Sequence, residues 1–467
     1  MAVKAISAQS NSWFAGFLRS RVAIMLACGS YVAAYVLVYK WVVVPVWGYA
    51  GFHDRAAPAR EAVAWVLAAL PSLWVPIKLK RPSQIVYWLL YLLVLVPACL
   101  VPIYALENQS RGPVLLAASL VAVFALTGLV YRLPLLPLPR VHLQSYEFSL
   151  ILILLSTAFY ALLASSFGLR FHFVSLEDTY TVRAQFKDSL EQAPRLVAYA
   201  IGWQAWVLNP LMIAMGLTSR RWAWVLAGAL GQFAIYSITA FRTMLFSVGL
   251  LLFLLWTMRP GKPFGARLAV TWTAIFAGTG ALQFLGWALI PASLVVVRMT
   301  ALPGLLTGYY YDFFSTHPKA LLGHSILKSM VDYPYAVEPP YLIGYLYFHS
   351  ASNDANANLW ADAYANFGYA GIMLFTLLLA AVLWVYDSMA FGHDKRLAAL
   401  VIGLPAFALA NGGLLTCLLS NGMGLAMLLM YLMPLATHEK AGHSTVLSIP
   451  PVCDREVWNS ESSARIR

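Results

Sequence analysis

Long apolar stretches recur along this chain, and they constrain its fold more than any other feature. A run of about 20 apolar residues lets a helix cross a bilayer with all of its backbone polar groups satisfied internally. Apolar residues make up 61% of the 467, and charged residues only 11%. A soluble domain carries roughly a quarter charged residues. The chain is therefore predicted to be an all-α, polytopic membrane protein.

We predict about 12 transmembrane helices in a single transmembrane domain over residues 1–436. The predicted spans are 22–45, 61–77, 84–106, 112–131, 147–168, 195–217, 222–240, 243–258, 268–290, 366–386, 397–414 and 416–436. The first span lacks a small-residue cleavage site and is followed by others, so it is interpreted as an anchor and not as a removable signal peptide. The tail 437–467 mixes Ser, Pro and charges, and is predicted to be disordered in the cytoplasm.

Basic residues concentrate in alternate connections between the predicted spans. These connections hold Lys78, Lys80, Arg81, Arg132, Arg140, Arg220, Arg221, Arg259, Lys262, Arg267, Lys395 and Arg396. The positive-inside rule then predicts cytoplasmic termini, with two long loops, about 169–194 and 291–365, facing outward. The net charge of +12 follows from this topology and from contact with membrane lipids, so no nucleic-acid partner is expected.

A polar and aromatic segment, residues 352–371, leads into the long apolar run near the C-terminus. Asn358, Asp362 and Asn366 are spaced by four residues, which predicts that they share one helix face. Such a stripe is costly at the end of a membrane helix unless it has a function. Asp354 is predicted to cap the helix. Asp362 is the candidate general base for attack by a sugar hydroxyl.

Two arginines lie at outer span ends, away from the basic loops. Arg242 stands between two spans with almost no loop, and Arg298 lies at the outer end of the ninth predicted span. Either guanidinium could reach lipid phosphates, which is the ordinary role of such a residue. The alternative is bidentate capture of a diphosphate. Arg183 is a weaker candidate, because acidic residues surround it in sequence.

The second outer loop is too long to be a plain connection. A short amphipathic helix is predicted over residues 318–331, lying in the membrane interface. Eight tyrosines, Tyr311 among them, occur between positions 309 and 347. They form either an aromatic belt at the headgroup level or platforms that stack on sugar rings.

Motifs for metal or nucleotide chemistry do not occur in the sequence. It contains no HExxH helix, no His/Cys cluster and no phosphate-binding glycine loop. Of the four cysteines, Cys28, Cys99 and Cys417 fall in predicted spans, which argues against a disulfide framework. We therefore expect a reaction that needs no cofactor and uses an already activated substrate, such as a lipid-linked diphosphate sugar.

The chain resembles the Wzy-type polymerases of bacterial O-antigen and exopolysaccharide, within the O-antigen polymerase and ligase superfamily. The resemblance rests on FRTMLF around Arg242, on RMTALPGLLTGYYYDFFSTHP from Arg298, and on NANLWADAYANFGYAG over residues 356–371. It implies that Arg242 and Arg298 hold the diphosphate of an undecaprenyl carrier. The ligase branch has a His-Asn pair before its Gly-x-x-Gly, and here Ala357 stands at the His position. Asp362 is then the first candidate base and His324 the second.

The resemblance implies a polymerase that transfers a growing glycan from undecaprenyl diphosphate to a sugar hydroxyl of another lipid-linked repeat unit. The expected location is the periplasmic face of a bacterial inner membrane, and a protein that regulates chain length is an expected partner. Arg242, Arg298, Arg183, Asn358, Tyr311 and Asn366 are the expected substrate-binding residues. Two alternatives stay open: a ligase that transfers O-antigen to lipid A core, and a transporter or flippase of lipid-linked sugar that forms no bond.

Overall fold

A computed structural model of the chain describes residues 20–107, 111–168, 171–175, 178–325 and 327–435. These residues form helices joined by turns and loops, and none of them lies in a strand. The helices are α1 Arg21–Ala50, α2 Pro58–Ala69, α3 Gln84–Ala105, α4 Gly112–Arg132, α5 Ser145–Phe167, α6 Thr179–Gln192, α7 Arg195–Ser219, α8 Trp222–Thr239, α9 Thr243–Thr257, α10 Phe264–Phe284, α11 Leu289–Thr316, α12 Pro339–Phe348, α13 Leu359–Met389, α14 Lys395–Phe407, α15 Leu414–Leu419 and α16 Met423–Leu432. The predicted tail 437–467 lies outside the described residues.

Nine helices of the described residues are long and apolar enough to cross a membrane. They are α1, α3, α4, α5, α7, α8, α11, α13 and the α15–α16 pair. This result confirms the prediction of an all-α polytopic membrane protein, while the number twelve stays a prediction. One of the nine, α11, lies where the sequence predicted an outer loop.

The basic loops meet at one end of the helix bundle, which we call the basic end. Arg81 donates to the carbonyl of Val130 at 3.2 Å, and Arg140 donates to the carbonyl of Phe391 at 2.7 Å. Arg259 lines two cavities together with residues of the segments 77–79, 217–220 and 394–396. The clustering agrees with the charge pattern from which the topology was predicted.

Helix α3 forms the centre of the bundle, and all of its residues are buried. A helix that is apolar on every face has to be surrounded by other helices. Helix α11 approaches it closely through Gly304 and Gly308, since a Cβ at Gly304 would lie 2.7 Å from the carbonyl oxygen of Pro97. Glycines four residues apart let two membrane helices pack backbone to backbone.

Helix α11 begins five residues after the end of α10. Its C-terminal part reaches the end of the bundle opposite the basic end, where Gly308 lies against Pro102 near the C-terminal end of α3. Near its C-terminus, Asp312 accepts a hydrogen bond from Tyr347. Tyr310 donates to the carbonyl of Ala355. These contacts fix the C-terminal part of α11 at this end.

The segments predicted as outer loops contain more helix than the sequence predicted, in different places. Helix α6 occupies most of the predicted loop 169–194, and α11 and α12 occupy much of 291–365. The predicted helix over 318–331 is wrong: its described residues form turns, with Leu321 and Leu322 at φ of 49° and 57°. Left-handed backbone at two consecutive apolar residues cannot continue a right-handed helix.

Candidate functional site

Asn358 begins α13 and is fully occupied by bonds within the protein. Its Oδ1 accepts from the backbone N–H groups of Trp360 and Ala361 at 3.0 and 3.1 Å, which is an N-cap. Its Nδ2 donates to the carbonyl of Pro303 and to the hydroxyl of Thr307. All four hydrogen-bonding positions of this amide are therefore used. The side chain fixes α13 against α11 and does not face a ligand, and it takes the capping role that was predicted for Asp354.

Asp362 and Asn366 lie one turn apart, as the spacing predicted. Asn366 is fully buried and its Nδ2 donates to the carbonyl oxygen of Asp362 at 2.9 Å and to Oδ1 at 3.4 Å. Asp362 is partly exposed, its Oδ2 packs against Gly413, and it forms no ion pair with any described residue. Asp362 is thus the least buried residue of the polar stripe.

Helix α13 is broken directly after this pair. Phe367 has φ −142° and ψ 16°, and Gly368 has φ 62° and ψ −143°. Glycine reaches this second conformation without strain, whereas a side chain with a Cβ does not. The break removes the N–H groups that would bond to the preceding carbonyls, so the end of the first half-helix is open to other donors.

The loop after α11 occupies this open helix end. Ala320 N donates to the carbonyl of Ala365 at 2.9 Å, and Leu321 N donates to that of Asn366 at 3.3 Å. Leu322 N donates to the Asn366 side-chain oxygen at 2.8 Å. Asn366 is therefore a structural link between the broken helix and the loop, and this role uses a side chain that was expected to bind substrate.

A lysine and three tyrosines surround the break in α13. Lys319 Nζ lies 4.4 Å from the centre of the Tyr364 ring and donates to the carbonyl of Phe314. Tyr311 and Tyr369 pack on Tyr364 with ring centres 5.2 and 5.3 Å away. Burial lowers the pKa of Lys319. Lys319 and Tyr364 were not identified from the sequence, although a lysine directly after a His-Pro pair beside a YYY run was a usable signal.

His324 lies in the same loop and is half-buried. Its ring packs near that of Tyr333, and its Nδ1 has no hydrogen-bond partner among the described residues. Burial lowers the pKa of His324, and the negative charge of Glu338 opposes this shift. Its neutral form is therefore favoured at neutral pH. No described hydrogen bond joins His324 to Asp362.

Arg183 and Arg242 come together where α6 packs on the end of α8. Arg183 donates through Nε and Nη2 to the carbonyl of Ala240 at 3.3 and 3.1 Å, and it stacks on Phe241. Arg242 donates through Nη2 to Thr179 at 2.8 Å, and its other donors bond to no described residue. Arg183 therefore closes a helix C-terminus, while Arg242 retains donors for an anion.

Helix α6 also connects the arginines to the segment before α13. Lys187 Nζ lies 4.9 Å from the centre of the Tyr341 ring in α12. The Tyr341 hydroxyl and the nearby Asp354 and Glu191 raise the pKa of Lys187, while its partial burial acts in the opposite direction. Lys187 thus adds a second cation on α6 that sequence reasoning did not select.

Arg298 is not joined to these groups. It is exposed on a π-helical part of α11 and forms no hydrogen bond or ion pair with the described residues. No described contact connects it to Arg242 or Asp362. In the described residues, no group of three or more His, Cys, Asp or Glu side chains is placed to hold a metal ion.

Together, the helices and their apolar faces define a polytopic α-helical membrane protein. Its polar and aromatic side chains around the α13 break lie away from the basic end. Comparison with protein-family models, with curated proteins and with solved structures finds no significant match for this chain.

Proposed function

We propose that this protein is a membrane glycosyltransferase that polymerises oligosaccharide repeat units carried on a lipid diphosphate. The reaction would take place at the outer face of a bacterial inner membrane, with both termini in the cytoplasm. The proposal rests on the Wzy-type sequence segments and on the chemistry of the region around the break in α13.

The observation that carries the proposal is the position of Asp362. A carboxylate on a partly buried residue, without a counter-ion among the described residues, lies just over one turn before the break in a membrane helix. Such a group is costly in a membrane protein and is suited to accept a proton. Main-chain carbonyls and the Asn366 amide hold the surrounding backbone in place.

The aromatic rings around the α13 break and the available donors of Arg242 suit a sugar diphosphate. Tyr311 and Tyr369, which pack on the buried Tyr364, offer more exposed rings on which a sugar can stack and hydroxyls that can bond to it. Arg242 has guanidinium donors that bond to no described residue. A guanidinium binds phosphate oxygens in a bidentate manner and stabilises the charge that develops on a leaving diphosphate.

The proposed glycosyl transfer needs no cofactor, because the diphosphate is the leaving group. An acceptor hydroxyl oxygen bonds to the anomeric carbon of the growing glycan, and the bond from that carbon to the diphosphate oxygen breaks. The electron pair leaves with the diphosphate, next to Arg242, and the hydroxyl proton passes to the Asp362 carboxylate. Arg298 remains a proposed contact for the carrier lipid, separate from Arg242.

Purified protein incubated with lipid-diphosphate-linked repeat units tests the proposal, with product length read by mass spectrometry. Longer lipid-linked chains support a polymerase, transfer only to added core lipid indicates a ligase, and no new bond indicates a transporter. Asp362→Asn is expected to lower the rate about 100-fold or more, because a general base contributes roughly that much. Asp332→Asn, an exposed loop carboxylate, is the matched control.

Two outcomes would contradict the assigned roles. Asp362→Asn with the wild-type rate removes Asp362 as the base. Unchanged polysaccharide in cells that carry Arg298→Ala at normal protein level removes Arg298 from the mechanism. A transport path is disfavoured because Lys40, a charged residue within the first predicted span (22–45), is paired with Glu61 at 2.8 Å and with Asp54 at 3.5 Å.

A further inference from the structure

Two adjoining cavities lie at the basic end, outside the proposed active site. One of about 560 Å³ lies between the ends of α7, α9 and α14, and one of about 550 Å³ lies between the 77–79 loop, the α9–α10 loop and α14. Arg259 and Arg396 line both cavities, which we together call the basic cleft. The basic residues that line it are Lys78, Arg220, Arg259, Lys262, Lys395 and Arg396.

Most cations of the basic cleft have no side-chain partner among the described residues, whereas several other arginines at this end do. Four others donate to main-chain carbonyls and so have structural roles: Arg21, Arg81, Arg140 and Arg267. In contrast, the side chains of Lys78, Arg220, Arg259, Lys262 and Lys395 form no hydrogen bond or ion pair with any described residue. The positive-inside rule accounts for their presence at this end, but not for their convergence on one cleft.

The charge of the basic cleft is almost uncompensated. Asp394 is the single acidic residue that lines it, and this carboxylate pairs with Arg396 at 2.8 Å. Five cations therefore share the cleft without a counter-ion among the described residues. Like charges repel each other, so an anion that enters the cleft is attracted by the cations that line it.

The rim of the cleft is apolar. Leu252 and Trp256 of α9 line the first cavity and are 48% and 39% exposed. On a helix of a membrane protein, exposed apolar side chains face the lipid, and tryptophan favours the headgroup level. A ligand in the cleft would thus have its charged part among the cations and its hydrocarbon part against α9.

We propose that the basic cleft binds an anionic phospholipid whose headgroup carries two phosphates. Each cavity is within the usual size range of ligand sites, roughly 300–1,000 Å³. One phosphate would occupy each cavity, and Arg259 and Arg396 would lie between them. Basic pockets between transmembrane helices are suited to such headgroups.

Titration with cardiolipin tests the proposal. Delipidated full-length protein in phosphatidylcholine nanodiscs is titrated with cardiolipin, and the bound lipid is counted by native mass spectrometry. Arg259→Gln is expected to bind cardiolipin about fivefold more weakly, which corresponds to about 1 kcal/mol for one basic side chain near an anionic lipid. Arg220→Gln, which touches only the first cavity, provides a second variant. Arg132→Gln removes an exposed cation from the same end outside the cleft and serves as the matched control.

Parallel arms use phosphatidylglycerol, which has one phosphate, and inorganic pyrophosphate. Tighter binding of cardiolipin than of phosphatidylglycerol, weakened by Arg259→Gln and not by Arg132→Gln, supports the proposal. Equal weakening by Arg132→Gln overturns it, since the effect would then be general surface charge. Binding of pyrophosphate without binding of cardiolipin also overturns it, because the source of the phosphates would be soluble.

Discussion

Replacing Asn366 by Ala tests whether this amide connects the broken helix α13 to the loop that follows α11. The substitution removes the side-chain oxygen that accepts from Leu322 N at 2.8 Å. It also removes the Nδ2 donor to the carbonyl of Asp362 at 2.9 Å. The α13 break itself is unaffected, because it depends on Phe367 and Gly368.

The cost follows from the burial of these groups. Leu322 is buried, so its N–H loses its acceptor without gaining water, which costs about 1–3 kcal/mol. The lost bond to the Asp362 carbonyl adds about 1 kcal/mol. The free energy that holds the loop in place should therefore fall by about 2–4 kcal/mol, if the two losses add.

Hydrogen exchange at Ala320 and Leu321 measures this loss. Both amides donate to main-chain carbonyls that the substitution leaves in place, so faster exchange reports opening of the whole loop. The expected increase is between about 30-fold and about 900-fold, at 1.36 kcal/mol for each factor of ten. Asn356→Ala is the matched control, since Asn356 is exposed and bonds only to Asp354.

Unchanged exchange at both amides in Asn366→Ala would refute the reasoning. The loop would then be held by its apolar contacts and not by the polar link. Equal acceleration in Asn356→Ala would also refute it, because the effect would then come from general loosening of the segment before α13.

Two further predictions concern stability. Gly368→Ala should lower the free energy of unfolding by about 1–3 kcal/mol, because φ 62° with ψ −143° is strained for any residue with a Cβ. Thermal unfolding in detergent measures this loss, and Gly278→Ala, at a glycine with open space around it, is the control. Burial, assisted by Arg140, lowers the pKa of His393 to about 4. As the pH falls from about 6.5 towards 4, the unfolded chain gains a proton that the folded protein does not, so the unfolding temperature should fall. His393→Gln should weaken the dependence of the unfolding temperature on pH between about 6.5 and 4. An unchanged dependence in this variant would contradict the assignment to His393.

Much of the membrane architecture was predictable from the sequence, because hydropathy and charge act locally. A run of apolar residues has to form a helix in lipid wherever it occurs, and basic residues mark one set of connections. Helix α3 and the basic loops were located in this way. The α11 helix was not located in this way, because its YYYDFF end and Arg298 are typical of a membrane interface. The residues that it packs against, Pro97 and Pro102, are distant from it in sequence.

The candidate site was predictable only in its residue types. The four-residue spacing placed Asp362 and Asn366 on one face, since helix geometry is a local property. The roles of Asn358 and Asn366 depended on partners that no local pattern reveals: Thr307 in α11 and Leu322 in the following loop. The predicted helix over 318–331 failed for the same reason, because the open end of α13 offers the loop better bonds than its own helix would.

The sequence by itself determined that the chain is a helical membrane protein with one basic end, since transfer of apolar and charged groups between water and lipid is additive along the chain. The tertiary structure decided which polar groups are available for chemistry. A buried amide either bonds within the protein or faces a ligand, and only the positions of distant backbone groups decide between the two. That is why Asn358 became a helix cap while Asp362, one turn later, has no counter-ion among the described residues.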